Sequence, residues 1–195
     1  MPGKYKVGLE QSLNGVVSKL ADPVEFNVVE LKNTTLPAPD RKELVEFQTK
    51  VAELARNMEG ATNFAGELTK QTETILQTLY QWSGATAELI EKTKKVRKEL
   101  DDINFLFSGH RPAASFEEVP PAPMPLNRRL SYLSYTHSSS TTAITQTEKD
   151  TYKILTEELP PIIEQLKKSE KEIKSIQSEM KSMGAPWTPG QTPEL

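Results

Sequence analysis

The chain has 195 residues, 36% of them hydrophobic and 26% charged, which is about one domain's worth with an adequate but thin core. Its 24 basic and 27 acidic residues leave a net charge of −3, too mild for the concentrated basic field that a nucleic acid or an anionic membrane requires. Cysteine is absent, which excludes a disulfide framework, a thiolate nucleophile and any sulfur-ligated zinc. No stretch approaches the roughly 18 apolar residues of a membrane span, so none is expected. Met1 through Gly15 contains no apolar core of the signal-peptide kind, so no signal peptide is expected in this chain.

Residues 1–31 read as β-structure. Tyr5, Val7 and Leu9 alternate with Lys4, Lys6 and Gly8, the period of a half-buried strand. Asn14-Gly15 is a turn dipeptide that tolerates positive φ, and Val24, Phe26 and Val28 resume the alternation. Two or three strands are too few to stand alone in water. Two readings follow: a ribbon packed on the helices, or the terminal strands of a β-sandwich. Residues 32–39 read as a linker, since Pro37 and Pro39 prevent an early helix start.

Asp40 is a good N-cap, and Glu43 three residues later predicts a capping box. From there Leu44, Phe47, Val51, Leu54, Met58, Ala61, Ala65, Leu68, Thr72, Ile75, Leu79 and Trp82 alternate spacings of three and four. That stripe predicts one long helix over 40–82, running through Gly60 and Gly66. Ser83-Gly84 ends it, and a second helix over 85–107 turns Leu89, Val96, Leu100, Ile103 and Phe107 inward as the return arm of an antiparallel hairpin. The five prolines of residues 108–125 predict an extended connector. A short helix over 126–136 carries Leu130 and Leu133, and the Ser/Thr run 138–142 reads as a loop. Thr145 and Glu148 form a second capping box for a helix over 145–183, with a seam running from Tyr152 through Leu166 to Met183. The seam keeps its phase across Pro160-Pro161, so the helix is expected to continue through them, kinked. Gly184 fits a helix C′ position, and residues 184–195 form a Pro/Gly tail.

Chemistry-bearing patterns are sparse. His110 and His137 lie in or beside loops without metal-ligand spacing, and neither a nucleophile elbow nor a phosphate-binding glycine loop occurs. The acidic pairs Asp101-Asp102, Glu117-Glu118 and Glu157-Glu158 are sequence neighbours, which diverge on a helix instead of facing across a substrate. The basic clusters Lys94, Lys95, Arg97, Lys98 and Lys167, Lys168, Lys171, Lys174 are interleaved with glutamates and read as solvated faces with i,i+4 pairs. Asn33-Thr34-Thr35 matches a glycosylation sequon. Trp82 reads as core. Trp187 reads as an anchor folding the tail onto the bundle, or as an exposed aromatic for a partner. No catalytic, cofactor-binding or metal-binding residue is assigned.

Several segments resemble a family of large bacterial proteins that carry sortilin-like β-propellers of BNR-type repeats and are described as glycosyl hydrolases. The opening Pro2-Gly3-Lys4-Tyr5-Lys6-Val7-Gly8-Leu9 is similar to the closing strands of their β-sandwich. Thr35-Leu36-Pro37-Ala38-Pro39-Asp40-Arg41, followed by Phe47-Gln48 and Val51, is similar to their linker and first C-terminal helix. The ending Gly184-Ala185-Pro186-Trp187-Thr188-Pro189-Gly190 resembles their terminus, and Ser108-Gly109-His110 and the Ser/Thr loop of residues 138–145 also fit. The resemblance implies the C-terminal region of a parent several times longer, periplasmic or secreted, with the propeller outside this chain and no catalytic residue to carry over. It implies the propeller and sandwich domains of the parent, or another protein, as partners.

The expected fold is mainly α: an elongated antiparallel bundle of three to four helices over 40–183, preceded by a small N-terminal β-segment that is the end of a β-sandwich. The expected function is that of a non-catalytic accessory module acting in packing or protein interaction, without cofactor. Two other readings stay open: part of a glycosyl hydrolase whose active site lies outside this chain, and a self-associating coiled coil forming a homo-oligomer.

Overall fold

The computed structural model of the chain describes residues 1–31, 36–112, 114–138 and 141–191. Two antiparallel strands, β1 (Gly3–Leu13) and β2 (Val16–Val28), are followed by four helices, α1 (Arg41–Gln81), α2 (Ala87–Ser108), α3 (Leu126–Ser138) and α4 (Gln146–Ser182). The fold is the mainly helical bundle with a small N-terminal β-segment that the periodicities predict.

The hairpin forms where the turn chemistry puts it. Asn14 and Gly15 both take positive φ, 52° and 80°, the requirement of a type I′ turn whose twist matches that of the strands. The register pairs Tyr5 with Phe26, Val7 with Val24 and Leu13 with Val16. β2 is two residues longer than β1 and absorbs the excess in irregularities opposite Val7–Glu10, where Leu20, Asp22 and Pro23 lie. Every residue of both strands is exposed, so the expectation of a ribbon packed on the helices fails. Among the described residues no helix packs against either strand above the root. Only the root is tied, through an Arg41–Glu30 ion pair of 2.9 Å.

In α1 the Asp40 carboxylate accepts from the backbone N–H of Lys42 and Glu43, at 2.8 and 3.2 Å. Glu43 does not return the bond as a full capping box would; it reaches Lys149 of α4 at 3.2 Å. α2 starts two residues later than predicted, because the Thr86 hydroxyl accepts from the Leu89 N–H and makes Thr86 the N-cap. At α4 the Thr145–Glu148 capping box forms in both directions. α4 runs unbroken through Pro160 and Pro161. Both are exposed, so the backbone bonds they forgo lie on the water side. Its C-terminus is a Schellman motif: Gly184, at φ 74°, donates to the Lys181 carbonyl and Ala185 to that of Met180. Met183, predicted as the last seam residue, is instead the exposed C-cap. The proline-rich connector includes a single 3-10 turn at Phe116–Glu118.

The bundle is three columns wide. α1 and α2 are antiparallel. Lys149 of α4 meets Glu43 near the start of α1, and Glu179 near its end meets Lys92 of α2, so α4 runs parallel to α1. α2 has 22 residues and stops part-way along; the 13 residues of α3 take over the column, with Asn127 at 3.4 Å from Thr62 of α1. Beyond α3 an antiparallel bridge of Pro37 with Thr142 ties the two linkers together. At about 1.5 Å per residue, the 41 residues of α1 span roughly 60 Å.

The predicted seams make the core. From Leu44 to Leu79 every predicted α1 position is buried except Phe47, which is half-buried beside the Tyr152 ring at 5.5 Å. Buried Thr72 and Thr93 satisfy their hydroxyls on the Leu68 and Leu89 carbonyls one turn back, at 2.7 and 2.8 Å. Gly60 and Gly66 face open space. Each Gly→Ala change is therefore expected to raise stability by about 0.5–1 kcal/mol by removing the entropic penalty of glycine, measured by urea unfolding.

Candidate functional site

The residues that could carry chemistry are dispersed and engaged. Asp101 accepts from Arg97 at 3.0 and 3.2 Å, while its neighbour Asp102 points to solvent. Glu157 lies 3.8 Å from Lys153, and Glu117 and Glu118 sit exposed in the 3-10 turn. His110 is exposed, with its ring edge-on to Phe105 at 4.6 Å; His137 is the penultimate residue of α3. Among the described residues no three His, Asp or Glu side chains come together as a metal-binding group. The sequon 33–35 lies outside the described residues.

The basic clusters are laced into ion pairs, as their interleaved glutamates predict. Lys94 pairs with Glu91, Lys167 with Glu164 and Lys168 with Glu172 along their own helices, and Arg97 also crosses to Glu73 of α1 at 2.9 Å. The hydrogen bond that Lys94 donates to the Glu91 carboxylate lifts its ammonium above the ordinary value. The hydrogen bond from Lys167 holds the Glu164 carboxyl below its own. Both are surface pairs, whose contribution to stability is small.

Trp82 packs against the edge of the core, and Trp187 takes the exposed one of its two readings. Trp82 is half-buried at the C-cap of α1, and its indole lies so close to Gly84 that a Cβ there would come within 2.5 Å of the ring. Trp187 is not the anchor of the tail: it is 56% exposed, its indole N–H donating to the Gln191 carbonyl at 3.0 Å. The tail is held by Gln177, which donates to the Pro189 carbonyl at 3.1 Å and accepts at its own carbonyl from Gln191 at 3.2 Å. Between them Thr188 is fully buried. A short hydroxyl residue fits under the helix where the broad indole does not.

What remains is the hairpin. Because β1 is regular, its odd-numbered residues share one face with the β2 residues opposite them. That face holds Tyr5, Val7, Leu9, Leu13, Val16, Val24, Phe26 and Val28, with Gln11, Ser18 and Ala21 between, and no charge. Lys4, Lys6, Glu10, Lys19 and Glu25 all fall on the other face, where Lys6 pairs with Glu25 at 3.2 Å. The Tyr5 and Phe26 rings lie 6.0 Å apart on the apolar side. Alternation this clean belongs to a sheet with one covered face. Yet the eight large apolar side chains are between 39% and 68% exposed. Among the described residues, neither strand has a ladder partner beyond the other.

At the root, Val28 belongs also to a cleft of about 550 Å³ between hairpin and bundle, walled by Val29, Leu31, Leu44 and Val45 with Arg41 at its rim. The apolar surface thus continues from the hairpin onto the start of α1. The strand alternation and the turn dipeptide carried the signal for this face, which has no signature in composition or in any catalytic motif. Among the described residues no helix is long and apolar enough to cross a membrane. The chain matches no family model, and neither the curated proteins nor the solved structures return a significant match.

Proposed function

We propose that this chain is a non-catalytic accessory module of a larger exported β-propeller protein, in which the helical bundle is a stiff support and the hairpin is the docking element. The carrying observation is the uncharged hairpin face, patterned for burial yet left open by the bundle. The reading of the hairpin as an end of a β-sandwich draws on the same face, since a sandwich is two such faces packed about 10 Å apart. The chemistry-bearing side chains are scattered, with Asp101 and Glu157 ion-paired, which supports placing any hydrolytic site of a parent outside this chain. Association through a coiled coil has less in its favour, because the seams of α1 and α4 are buried within the chain itself.

An antibody against the bundle tests the proposal in the source cells. A polypeptide several times larger than 21.8 kDa in the periplasmic or secreted fraction is the expected result. A 21.8 kDa species confined to the cytosol overturns it. The purified chain is also expected to show no turnover of chromogenic glycosides; saturable turnover overturns the non-catalytic reading.

A further inference from the structure

We propose that the occupant of the uncharged hairpin face is a second copy of this chain, the two hairpins stacking face to face as the two sheets of a small β-sandwich. The proposal rests on the reading of the hairpin as a docking element and names its partner.

Three observations favour a like partner. The first is charge. In a two-fold interface the same patch meets itself, so a charged patch would oppose like with like. Every residue that the register places on this face is uncharged, while Lys4, Lys6, Glu10, Lys19 and Glu25 lie on the opposite side; Asp22, in the irregular stretch, is ion-paired to Lys19 of that side. The second is area. Eight large apolar side chains, 39% to 68% exposed, present roughly 700 Å² of apolar surface, six of them in one stretch and Leu13 and Val16 beyond the Gln11–Ser18 pair. Two such faces together remove roughly 1,400 Å² from water, within the size class of specific, stable interfaces. The third is the edge. Pro23 and the irregular stretch around it interrupt β2, which discourages a further strand from pairing along that edge and leaves the face and the β1 edge as routes of association.

In this arrangement Phe26 and Val24 lie at the centre of the contact, with Tyr5 and Val7 across the ladder from them. The root cleft lies at the edge of the contact, where Val28 joins the two surfaces. The long axis of each bundle is free of the contact, so pairing leaves the helices unchanged.

Sedimentation equilibrium of the full chain, across about 1–100 µM, tests the proposal. The expected result is a monomer–dimer equilibrium for the wild type. Phe26→Lys buries an unpaired ammonium at the centre of the interface and is expected to weaken association at least about 100-fold. Val17→Lys adds the same charge on the opposite face, beside Ser12, and is expected to leave association unchanged. No hairpin residue belongs to the bundle core, so the helical circular dichroism and melting of both variants should match the wild type. A wild type that stays monomeric throughout overturns the proposal. So does a dimer that survives Phe26→Lys, which places the contact on the helices or the free β1 edge. Equal loss in both variants overturns it too, since that reports hairpin unfolding. A monomeric chain still found within a larger exported polypeptide would sink the second-copy inference alone.

Discussion

Phe107→Ala is expected to destabilise the bundle by about 3–5 kcal/mol, read as a lowered midpoint of urea unfolding with an unchanged slope. Phe107 is fully buried in the last turn of α2, where that helix ends and α3 takes over the column. Its ring lies near the junction of two helix ends, within the core cluster to which α1 and α4 also contribute. Truncation removes the largest of the fully buried side chains at a point where two helix termini cannot simply collapse inward. Phe107→Leu keeps most of the volume and should cost less than about 1.5 kcal/mol. A loss below about 1 kcal/mol for Phe107→Ala would show that the junction relaxes freely and that α2 and α3 are not coupled through this ring.

The second large effect has the opposite sign. Replacing both Pro160 and Pro161 by alanine is expected to raise the unfolding free energy by about 3 kcal/mol. Each proline removes one intrahelical bond of α4 and presses its ring against the carbonyl four residues back. The helix survives because Leu155, Leu159, Ile162 and Leu166 are buried on both sides of the interruption. The freed carbonyls face water beside a shallow cleft of about 440 Å³, walled by Leu54, Leu159 and Ile163. Alanine restores the ladder without disturbing that seam. Thermal unfolding followed at 222 nm checks the change, and a fall in stability would mean that the prolines are needed to seat α4 against α1.

Much of the helical architecture was legible in the residues. Spacings of three and four identify the buried stripes because a helix presents those positions to one side, and the Thr145–Glu148 box and Gly184 mark α4 by satisfying end groups locally. Hydrogen bonds, local and long-range, also explain the departures. The Thr86 hydroxyl claims the first turn of α2, and Glu43 abandons its own cap for a lysine 106 residues away. Trp187 yields the buried place to Thr188, since the room under α4 depends on what Gln177 and the tail backbone leave open.

The hairpin divides the two sources of information most clearly. Turn chemistry and period-2 alternation, both local, determined from sequence alone that strands form here, that the chain turns at Asn14-Gly15 and which positions alternate. Whether anything in this chain covers that face is a question of where the bundle's own apolar residues point. Only the tertiary structure decided it: the seams of α1, α2 and α4 turn inward and consume one another, and none is left to meet Val24 and Phe26. Pattern is encoded residue by residue, but burial is a property of the partner on the other side.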